Sequence, residues 1–431
     1  MYLVQIWTNL IEVKFVENIM YVFTMILQVV LLIIGGYYTV ITVTGCLFKK
    51  EPKVKNVTNK IHKFALVVAA HNEEVVIANL VESANSLNYP KDAYELFVIA
   101  DNCTDKTAEI ARQHGATVFE RFSDDKKGKG YALDWMFEKI FAMDKEFDAI
   151  SVFDADNIID SEFLNQMNRQ FNRGYKAVQG YIDTKNPNDS WISMSYAISF
   201  WTINRTFQYA RYTLGLCCQL CGTGFALSTD IIKEIGWGAT CLAEDMEFTM
   251  KLLMNNYKVA WAHDAIVYDE KPLTFSQSYK QRVRWMQGHA DVLSRFFGKL
   301  IKKGIKDRDL KPIDAACYLF QPIRLVAMFM ITVLCYLQTF YPDLEIGFFK
   351  MDYIFGSWIW GSIVVVQLLF VPLVLILERK MTWRVLVGYI PYYFYTFTWF
   401  PISIVGILKK NDKEWFHTQH TRTIALSDIK K

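Results

Sequence analysis

The chain has 431 residues, of which 52% are hydrophobic and 21% are charged. This combination indicates a soluble domain joined to apolar membrane segments, and the length suffices for one large α/β domain plus several spans. The net charge of +3 is too small to favour nucleic-acid binding, so no nucleic-acid partner is expected.

The N-terminal region predicts a membrane anchor. Residues 1–18 have an amphipathic pattern, which is typical of a helix on a membrane surface. Residues 19–47 carry no charge, and because about 20 apolar residues cross a bilayer, they predict a transmembrane helix. A cleaved signal peptide is the alternative, which the length and late start of the segment disfavour. Lysines follow the segment, so by the positive-inside rule the chain enters the cytoplasm there.

The region from residue 60 to 305 predicts an α/β domain. Short runs at 64–70, 96–100, 117–120 and 149–153 predict β-strands, and the stretches between them have helical spacing. Strands that alternate with helices form a mostly parallel, doubly wound sheet. Because ligands bind such sheets at the carboxyl ends of the strands, polar residues directly after these runs are candidate site residues.

Acidic residues stand at two of those strand ends. Asp101 follows the second run, where helix capping is an alternative role compatible with ligand binding. Asp154 and Asp156 follow the fourth run, and two carboxylates so close together repel each other unless a cation lies between them or one is protonated. Hard divalent ions bind one or two carboxylates together with substrate phosphates, so Mg²⁺ or Mn²⁺ is the predicted cofactor. Loop capping is the alternative for this pair.

Two loops suggest further ligand contacts. Lys129 lies in a basic, glycine-containing loop before a predicted helix, where anions bind favourably. An ordinary solvated loop is the alternative, and Lys127 is the rival residue. In the loop Cys221-Gly222-Thr223-Gly224, two glycines allow the backbone to approach a ligand closely, with a plain turn as the alternative. The eight cysteines show no disulfide or zinc-binding pattern.

Two later motifs complete the candidate site. Glu244-Asp245 opens a helical stretch, where capping through the helix dipole is the alternative to a catalytic role. Gln281, Arg284 and Trp285 have the i, i+3, i+4 spacing of one face in a helix predicted over 275–300. A guanidinium binds phosphate in bidentate geometry, and an indole offers a flat apolar face to a sugar ring. A surface arginine beside a core tryptophan is the alternative.

Three apolar stretches within 312–408 predict further membrane segments: residues 316–340, 354–377 and 383–408. The acidic loop after the first is predicted to be external, and the basic loop after the second internal. The third contains two prolines, so a broken or interfacial segment is the alternative to a span. Counting spans places the tail, 409–431, outside, whereas its lysines favour the inside, so its side stays open.

The order of these motifs carries a family resemblance. An acid after a strand (Asp101), the Asp154-Ala155-Asp156 motif, Glu244-Asp245 and Gln281–Trp285 follow one another as in the membrane-embedded family 2 glycosyltransferases. The chain therefore resembles the synthases of cellulose, hyaluronan, chitin and poly-N-acetylglucosamine. The resemblance implies a cytosolic GT-A-type, Rossmann-like domain joined to a transmembrane helical bundle, with interfacial helices at 191–216 and 275–300, in the plasma membrane.

The resemblance also implies roles for the donor-binding residues. Asp101 would accept from the uracil ring, and Asp156 would be the firmer metal ligand, with Asp154 near the diphosphate. Lys129 and Arg284 would bind the diphosphate, and Gln281 belongs to the same donor-binding set. Residues 415–422 resemble a gating segment that closes over the nucleotide, in which Thr418 and His420 would meet the diphosphate if the tail is cytosolic.

On the acceptor side, the resemblance makes Asp245 the general base, with Glu244 beside it. Ala243 replaces the first residue of the usual triplet at this point, which is a departure from the family pattern. Trp285 would lie beneath the terminal sugar of the growing polymer. The loop residues Cys221, Gly222, Thr223 and Gly224 would also contact the acceptor sugar.

The expected activity is processive, inverting synthesis of a β-linked polysaccharide from a UDP-sugar, with export across the plasma membrane. A β-glucan from UDP-glucose is the favoured product, and poly-N-acetylglucosamine or another aminosugar polymer is the close rival. A non-processive glycolipid-forming enzyme is a third interpretation, and an inactive channel or scaffold subunit is a fourth. The expected partners are the UDP-sugar, the growing polysaccharide, the lipid bilayer and an accessory export subunit.

Overall fold

The computed structural model describes residues 2–47, 51–54, 56–341, 368–412, 420–424 and 426–429. The first helix, α1, spans Tyr2–Leu47, so the predicted surface segment and the predicted transmembrane helix form one continuous element. Most of the apolar stretch predicted at 354–377, and the candidate Thr418, lie outside the described residues.

A mixed sheet forms the centre of the α/β domain. Its eight strands are β1 Phe64–Ala70, β2 Tyr94–Asp101, β3 Thr117–Arg121, β4 Ala149–Asp154, β5 Ile158–Ile159, β6 Ala177–Thr184, β7 Phe225–Ser228 and β8 Val259–Asp269. Their order within the described residues is β3-β2-β1-β4-β7-β6-β8-β5. The four strands predicted from the sequence are confirmed as β1 to β4.

The strand directions place one functional edge on this sheet. β1 to β4 pair in parallel, and β7 is antiparallel to both β4 and β6. Because β8 is parallel to β6, both run in the direction of β4. The carboxyl ends of β1, β2, β3, β4, β6 and β8 therefore lie along the same edge, and every predicted acid that follows a strand belongs to it.

Helices cover the sheet and extend from it. They are α2 Ile77–Asn85, α3 Thr107–Gln113, α4 Lys129–Phe141, α5 Phe163–Asn172, α6 Trp191–Ile203, α7 Ala210–Thr213, α8 Thr229–Ile235, α9 Glu244–Met254, α10 Phe275–Asp307, α11 Leu310–Leu319, α12 Gln321–Phe340, α13 Leu368–Leu377, α14 Trp383–Phe397, α15 Trp399–Leu408 and α16 Leu426–Ile429. A π-helical turn, Asn204–Tyr209, joins α6 to α7. The wholly apolar β1 is buried on both faces because helices pack on each side of the sheet.

Within the described residues, one helix is long and apolar enough to cross a membrane by itself, over Tyr21–Gly45. α11 and the first part of α12 pass the same test only as a pair bent by 54°. The stretch predicted at 383–408 consists of α14 and α15, with 15 and 10 residues, each shorter than the roughly 20 that a span needs. A bundle of several spans is therefore not confirmed.

Both ends of the α14–α15 segment contact the α/β domain. Before α14, Lys380 Nζ donates to Asp183 Oδ2 at 2.5 Å. After α15, Gln287 Nε2 donates to the carbonyl of Lys409 at 3.3 Å. In between, α14 packs on α6 and α15 packs on α10. The chain thus returns to the domain side, which is also where the tail continues.

Candidate active site

Three of the predicted site motifs, the basic loop, the acidic motif and the glycine loop, meet at the carboxyl end of β4. Lys129, the first residue of α4, forms an ion pair with Asp154 and donates to the carbonyl of Gly222 at 2.7 Å. The N–H of Asp154 donates to Asn157 Oδ1 and to Thr223 Oγ1, both at 3.1 Å. Burial lowers the pKa of Lys129, but the negative charges of Asp154 and Glu244 outweigh burial. The pKa is therefore raised above its usual value, and this lysine is charged.

Asp156 lies deeper at the same edge. It is buried, and its Oδ2 accepts from the N–H of Glu270 at 2.9 Å. Burial raises the pKa of Asp156 well above its usual value, and the charge of Asp269 adds to the effect, while His420 opposes it. The ionised form of Asp156 is therefore disfavoured by its surroundings, although His420 and Lys185 oppose this in part.

This edge fits a hard divalent cation. The carboxylate oxygens of Asp154 and Asp156 are the donors that Mg²⁺ and Mn²⁺ prefer, and a bound ion would favour the ionised form of Asp156 that burial disfavours. In the described part of the chain, no group of three or more His, Cys, Asp or Glu side chains could hold a metal alone. The remaining ligands would come from a nucleotide diphosphate and water, as is usual for Mg²⁺.

Asp245 lies in the first turn of α9, next to the glycine loop. A Cβ atom added to Gly222 would lie 3.5 Å from Asp245 Oδ2, which places the loop in contact distance of this carboxylate. The φ of +78° at Gly222 is the backbone conformation that favours glycine here. Asp245 Oδ1 accepts from the N–H of Met246 at 2.7 Å, which is the local contact expected of a helix-terminal acid. Burial and the neighbouring charge of Glu244 raise the pKa of Asp245 to about 7.

The rest of the glycine loop is engaged inside the protein. Thr223 donates to Asn157 Oδ1, the N–H of Cys221 donates to Gln179 Oε1 at 2.9 Å, and a Cβ on Gly224 would lie 2.5 Å from Val267. Thr223 thereby supports the backbone of the acidic motif. An acceptor-binding role for Cys221, Thr223 and Gly224 stays a prediction.

The α10 motif borders the acids on one side and an aromatic cluster on the other. Gln281 Oε1 and Arg284 Nε are buried and have no hydrogen-bond partner among the described residues. Burial raises the pKa of Glu244. The positive charge of Lys129 and, more weakly, that of Arg284 act against this rise, so Arg284 lies near the Glu244–Asp245 pair. Trp285 is half-buried and lies nearly parallel to Trp399, at an angle of 20° and a centroid distance of 6.4 Å.

Asp101 ends β2, two strands away from Asp154, or about 10 Å at the usual strand spacing. Arg121 Nη1 donates to its Oδ1 at 2.5 Å, and Arg121 also reaches the carbonyl of Lys126 at 2.6 Å. Burial raises the pKa of Asp101, while Arg121 opposes the rise. The carboxylate is therefore tied to the base of the basic loop.

The tail crosses the carboxyl edge of the sheet. His420 Nδ1 lies 2.9 and 3.1 Å from the two carboxylate oxygens of Glu73. The N–H groups of Thr421 and Arg422 donate to Glu270 at 3.0 and 3.3 Å. Burial lowers the pKa of His420, but the charges of Asp156 and Glu73 raise it to about 10, so the imidazole is charged here.

Several residues at this edge were not anticipated from the sequence. Glu73, Lys185, Glu270 and Lys271 are all buried and lie within three residues of the ends of β1, β6 or β8. Lys185 Nζ donates to the carbonyl of Asp156 at 2.9 Å and pairs with Glu270 at 2.9 Å. The rule that singled out Asp101 would have found Lys185, Glu270 and Lys271 if β6 and β8 had been recognised as strands. Glu73 follows the predicted strand β1 and was not singled out.

Comparison with known proteins identifies the family and the fold of this chain. The family described as "Glycosyltransferase like family 2" matches residues 62–288, more than half of the chain, and the chain belongs to this family. A solved mannosyltransferase from Pyrobaculum calidifontis, in complex with GDP-Man and Mn²⁺, has the same fold, with a TM-score of 0.59 and 17% identity over 92% of this chain and 100% of that one. The GT-A-like fold with a mixed sheet, and the family expected from the motifs, are thereby confirmed.

Two curated relatives differ in their products. Poly-beta-1,6-N-acetyl-D-glucosamine synthase of Staphylococcus epidermidis is 26% identical over 296 residues, which are 68% of each chain. Beta-monoglucosyldiacylglycerol synthase of Synechocystis is 28% identical over 238 residues, which are 52% of this chain and 47% of the relative. The family is therefore shared by enzymes that make a polymer and enzymes that make a glycolipid.

Proposed function

We propose that this protein is a membrane-anchored, processive glycosyltransferase. It transfers a sugar from a UDP-sugar to the end of a growing β-linked polysaccharide with inversion of the anomeric carbon. The observation that carries this proposal is the meeting of Lys129, Asp154 and Asp245 at one strand edge, with Arg284 beside Glu244. Cationic groups for a leaving diphosphate thus lie next to a half-buried acid, Asp245, with an elevated pKa.

Asp245 is the base in this proposal. Its pKa of about 7, which follows from burial and from Glu244, suits a carboxylate that takes a proton from a hydroxyl near neutral pH. As Asp245 removes that proton, the acceptor oxygen forms a bond to the anomeric carbon while the bond from that carbon to the diphosphate breaks. Attack from the opposite face inverts the centre, and no covalent enzyme intermediate is required.

Charged side chains stabilise the departing UDP. Lys129 supplies a half-buried positive charge, and Arg284 has a buried Nε without a partner in the described structure. Gln281 Oε1 is likewise available to a donor hydroxyl. Asp156 and Asp154 would hold the divalent cation, which neutralises charge on the diphosphate when it is bound.

The nucleotide would lie along the carboxyl edge between β2 and β4. Asp101 would accept from the N–H of uracil with the oxygen that Arg121 does not engage. His420, which lies at this edge, would approach the diphosphate, and Thr418 stays a sequence-based candidate for the same role. The contacts of His420 with Glu73 and of the following backbone with Glu270 support a tail that can cover this edge.

The sequence alone favours a β-glucan as the product, whereas the relatives favour an aminosugar polymer. The poly-N-acetylglucosamine synthase matches two thirds of both chains, whereas the glycolipid synthase matches about half. We therefore rank UDP-N-acetylglucosamine first as donor and UDP-glucose, for a β-glucan, second. Glycolipid synthesis is the second candidate function because a glycolipid enzyme is among the relatives. The intact acids disfavour an inactive channel or scaffold subunit.

We further propose that α1 anchors the enzyme in the plasma membrane with the α/β domain in the cytoplasm. The helix over Tyr21–Gly45 is long enough to cross, and lysines follow it on the domain side. A multi-pass arrangement with α11 to α13 would complete a path for the polymer. An accessory export subunit would receive the product beyond the membrane.

The decisive experiment uses purified protein in lipid nanodiscs with radiolabelled UDP-N-acetylglucosamine and UDP-glucose in separate reactions, with Mg²⁺ or Mn²⁺. We expect high-molecular-weight product from one donor. Product that extracts into organic solvent would instead identify a glycolipid enzyme. Absence of turnover with both donors, in protein that binds UDP, would contradict the proposal.

A further inference from the structure

Arg282, between the motif residues Gln281 and Arg284, is an unusual buried charge. Its side chain is fully buried, and within the described residues no carboxylate lies at ion-pair distance. An unpaired buried charge is unfavourable unless other groups replace its hydration. The arginine must therefore be compensated in another way, and the surroundings of its guanidinium show how.

Aromatic rings and one hydroxyl surround this guanidinium. It lies 4.3 Å from the ring centroid of Tyr395 and 5.1 Å from that of Trp399, in cation–π geometry. Arg282 Nη1 donates to Thr398 Oγ1 at 2.8 Å. Thr398 is the residue between α14 and α15, so Arg282 holds the junction of these two helices against α10.

The junction places a second indole beside the motif tryptophan. Trp399 follows Thr398 directly, and its ring lies nearly parallel to that of Trp285, at an angle of 20°. Tyr196 of α6 contacts Trp285 edge-on at 6.1 Å, and Tyr395 of α14 contacts Trp399 edge-on at 6.4 Å. Both tryptophans pack against one cluster that contains these two tyrosines. Both indoles are only half-buried, so each has ring surface outside the cluster.

This aromatic cluster adjoins the acids. Arg284, one residue before Trp285, lies near Glu244 and near Tyr196. On the other flank, Lys271 Nζ lies 3.5 Å from the ring centroid of Phe200 and pairs with Asp269 at 2.5 Å. An acceptor whose hydroxyl is deprotonated by Asp245, as in the proposed function, would have these two indoles on the side of Arg284.

We infer that Trp399 binds the acceptor sugar together with Trp285, and that Arg282 is the positioning residue that orients Trp399. The inference rests on the proposed function, since it assigns residues to the acceptor side of that site. The apolar faces of pyranose rings pack on indoles, and the accessible part of this half-buried tryptophan pair would be the aromatic surface that meets a polymer end. Trp399 lies more than one hundred residues after the motif, so only the tertiary structure brings it here.

The test compares three variants with wild type in nanodiscs. Trp399→Leu keeps apolar bulk without a flat ring, Trp399→Phe keeps a ring, and Trp383→Leu is the matched control on α14, where Trp383 is 75% exposed. Reactions use UDP-N-acetylglucosamine with a β-1,6-linked N-acetylglucosamine trimer, or UDP-glucose with cellotriose if wild type uses only glucose. The readouts are KM for the trimer, KM for the donor, and UDP release without acceptor.

We expect Trp399→Leu to raise the KM for the trimer about tenfold, with donor KM and acceptor-free UDP release unchanged. Trp399→Phe should recover most of the loss, and Trp383→Leu should behave as wild type. Arg282→Met, which can fill the same volume, should raise the trimer KM in the same selective way. A thermal unfolding temperature within a few degrees of wild type would show that the variants are folded.

The outcomes separate this inference from the proposed function. If wild type transfers sugar but Trp399→Leu has an unchanged KM for the trimer, Trp399 is not part of the acceptor site. Equal losses in donor KM, acceptor KM and acceptor-free UDP release would also overturn it, because they indicate a general packing role. If the wild-type protein uses neither donor, the proposed function itself is contradicted, and the inference about Trp399 falls with it.

Discussion

At the scale of single residues, position decides how each carboxylate behaves. Asp156 and Asp269 are neighbours at the same edge, yet their pKa values move in opposite directions. Burial raises both, but at Asp269 the charge of Lys271, 2.5 Å away, a hydrogen bond with Asp156 and the charge of His420 together outweigh burial. At Asp156 the charges of His420 and Lys185 oppose the rise without cancelling it. An added cation would therefore favour the ionised form of Asp156.

Asp245→Asn should abolish transfer while leaving UDP binding nearly intact. An amide cannot take the proton from the acceptor hydroxyl, so we expect a loss of about 10²- to 10⁴-fold in turnover. Isothermal titration with UDP and Mg²⁺ should show affinity within about twofold of wild type. Glu138→Gln, an exposed change on α4, is the control. Substantial polymer from the Asp245 variant would remove this residue as the base.

The pH dependence should report the same acid. Because Asp245 must be deprotonated to act, kcat/KM should rise with pH through about 7 and level off above it. The charge of Glu244 helps to raise the pKa of Asp245, so Glu244→Gln should move this limb to lower pH. Initial rates between pH 5 and 9, at low donor concentration, measure the limb. A limb that stays in place in the variant would show that the two acids are not coupled.

At the scale of elements, a buried polar link joins the anchor helix to the domain. Arg211 of α7 donates to both oxygens of Asp314 of α11, at 2.8 and 3.0 Å. The hydroxyl of Tyr37 in α1 donates to the same carboxylate at 2.9 Å. Further along α1, a Cβ on Gly45 would lie 2.3 Å from that of Ala210, so glycine permits close contact of α1 with α7. Three elements far apart in sequence thus meet around one ion pair.

Breaking this ion pair should destabilise the protein strongly. Asp314→Asn leaves the Arg211 charge buried without its carboxylate, which costs about 3–5 kcal/mol. The double variant Arg211→Met with Asp314→Leu removes both charges and should recover most of the loss. Denaturant unfolding in detergent, followed by tryptophan fluorescence, measures both. If the single and the double variants are equally unstable, apolar packing rather than the charge pair holds these helices.

At the scale of the whole molecule, the C-terminal segment returns to the face from which it leaves. Lys380 binds Asp183 at one end of α14–α15 and Lys409 is bound by Gln287 at the other. The tail then continues to Glu73 and Glu270 at the candidate active site. A segment whose composition suits a membrane span is therefore packed along α6 and α10, and the tail shares the side of the domain.

Cysteine labelling can test this topology. We expect Asn411→Cys, exposed just after α15, and Glu138→Cys, exposed on α4, to react with an impermeant maleimide only in inside-out vesicles. The parent protein reports the background from its own cysteines. Labelling of Asn411→Cys from outside intact cells, with Glu138→Cys protected, would show that 383–408 crosses the membrane.

The sequence alone determined the family, the four strands β1 to β4 and the residues that follow them, because short apolar runs and motif spacing are local properties. It also determined that Glu244-Asp245 begins a helix and that Gln281, Arg284 and Trp285 share one face of α10. The edge formed by β6 and β8, the Glu73–His420 contact and the Trp399–Trp285 pair were decided only by tertiary structure. Strand pairing and contacts between distant segments depend on long-range packing. For the same reason, apolar composition at 383–408 could not distinguish a span from two helices that pack on α6 and α10.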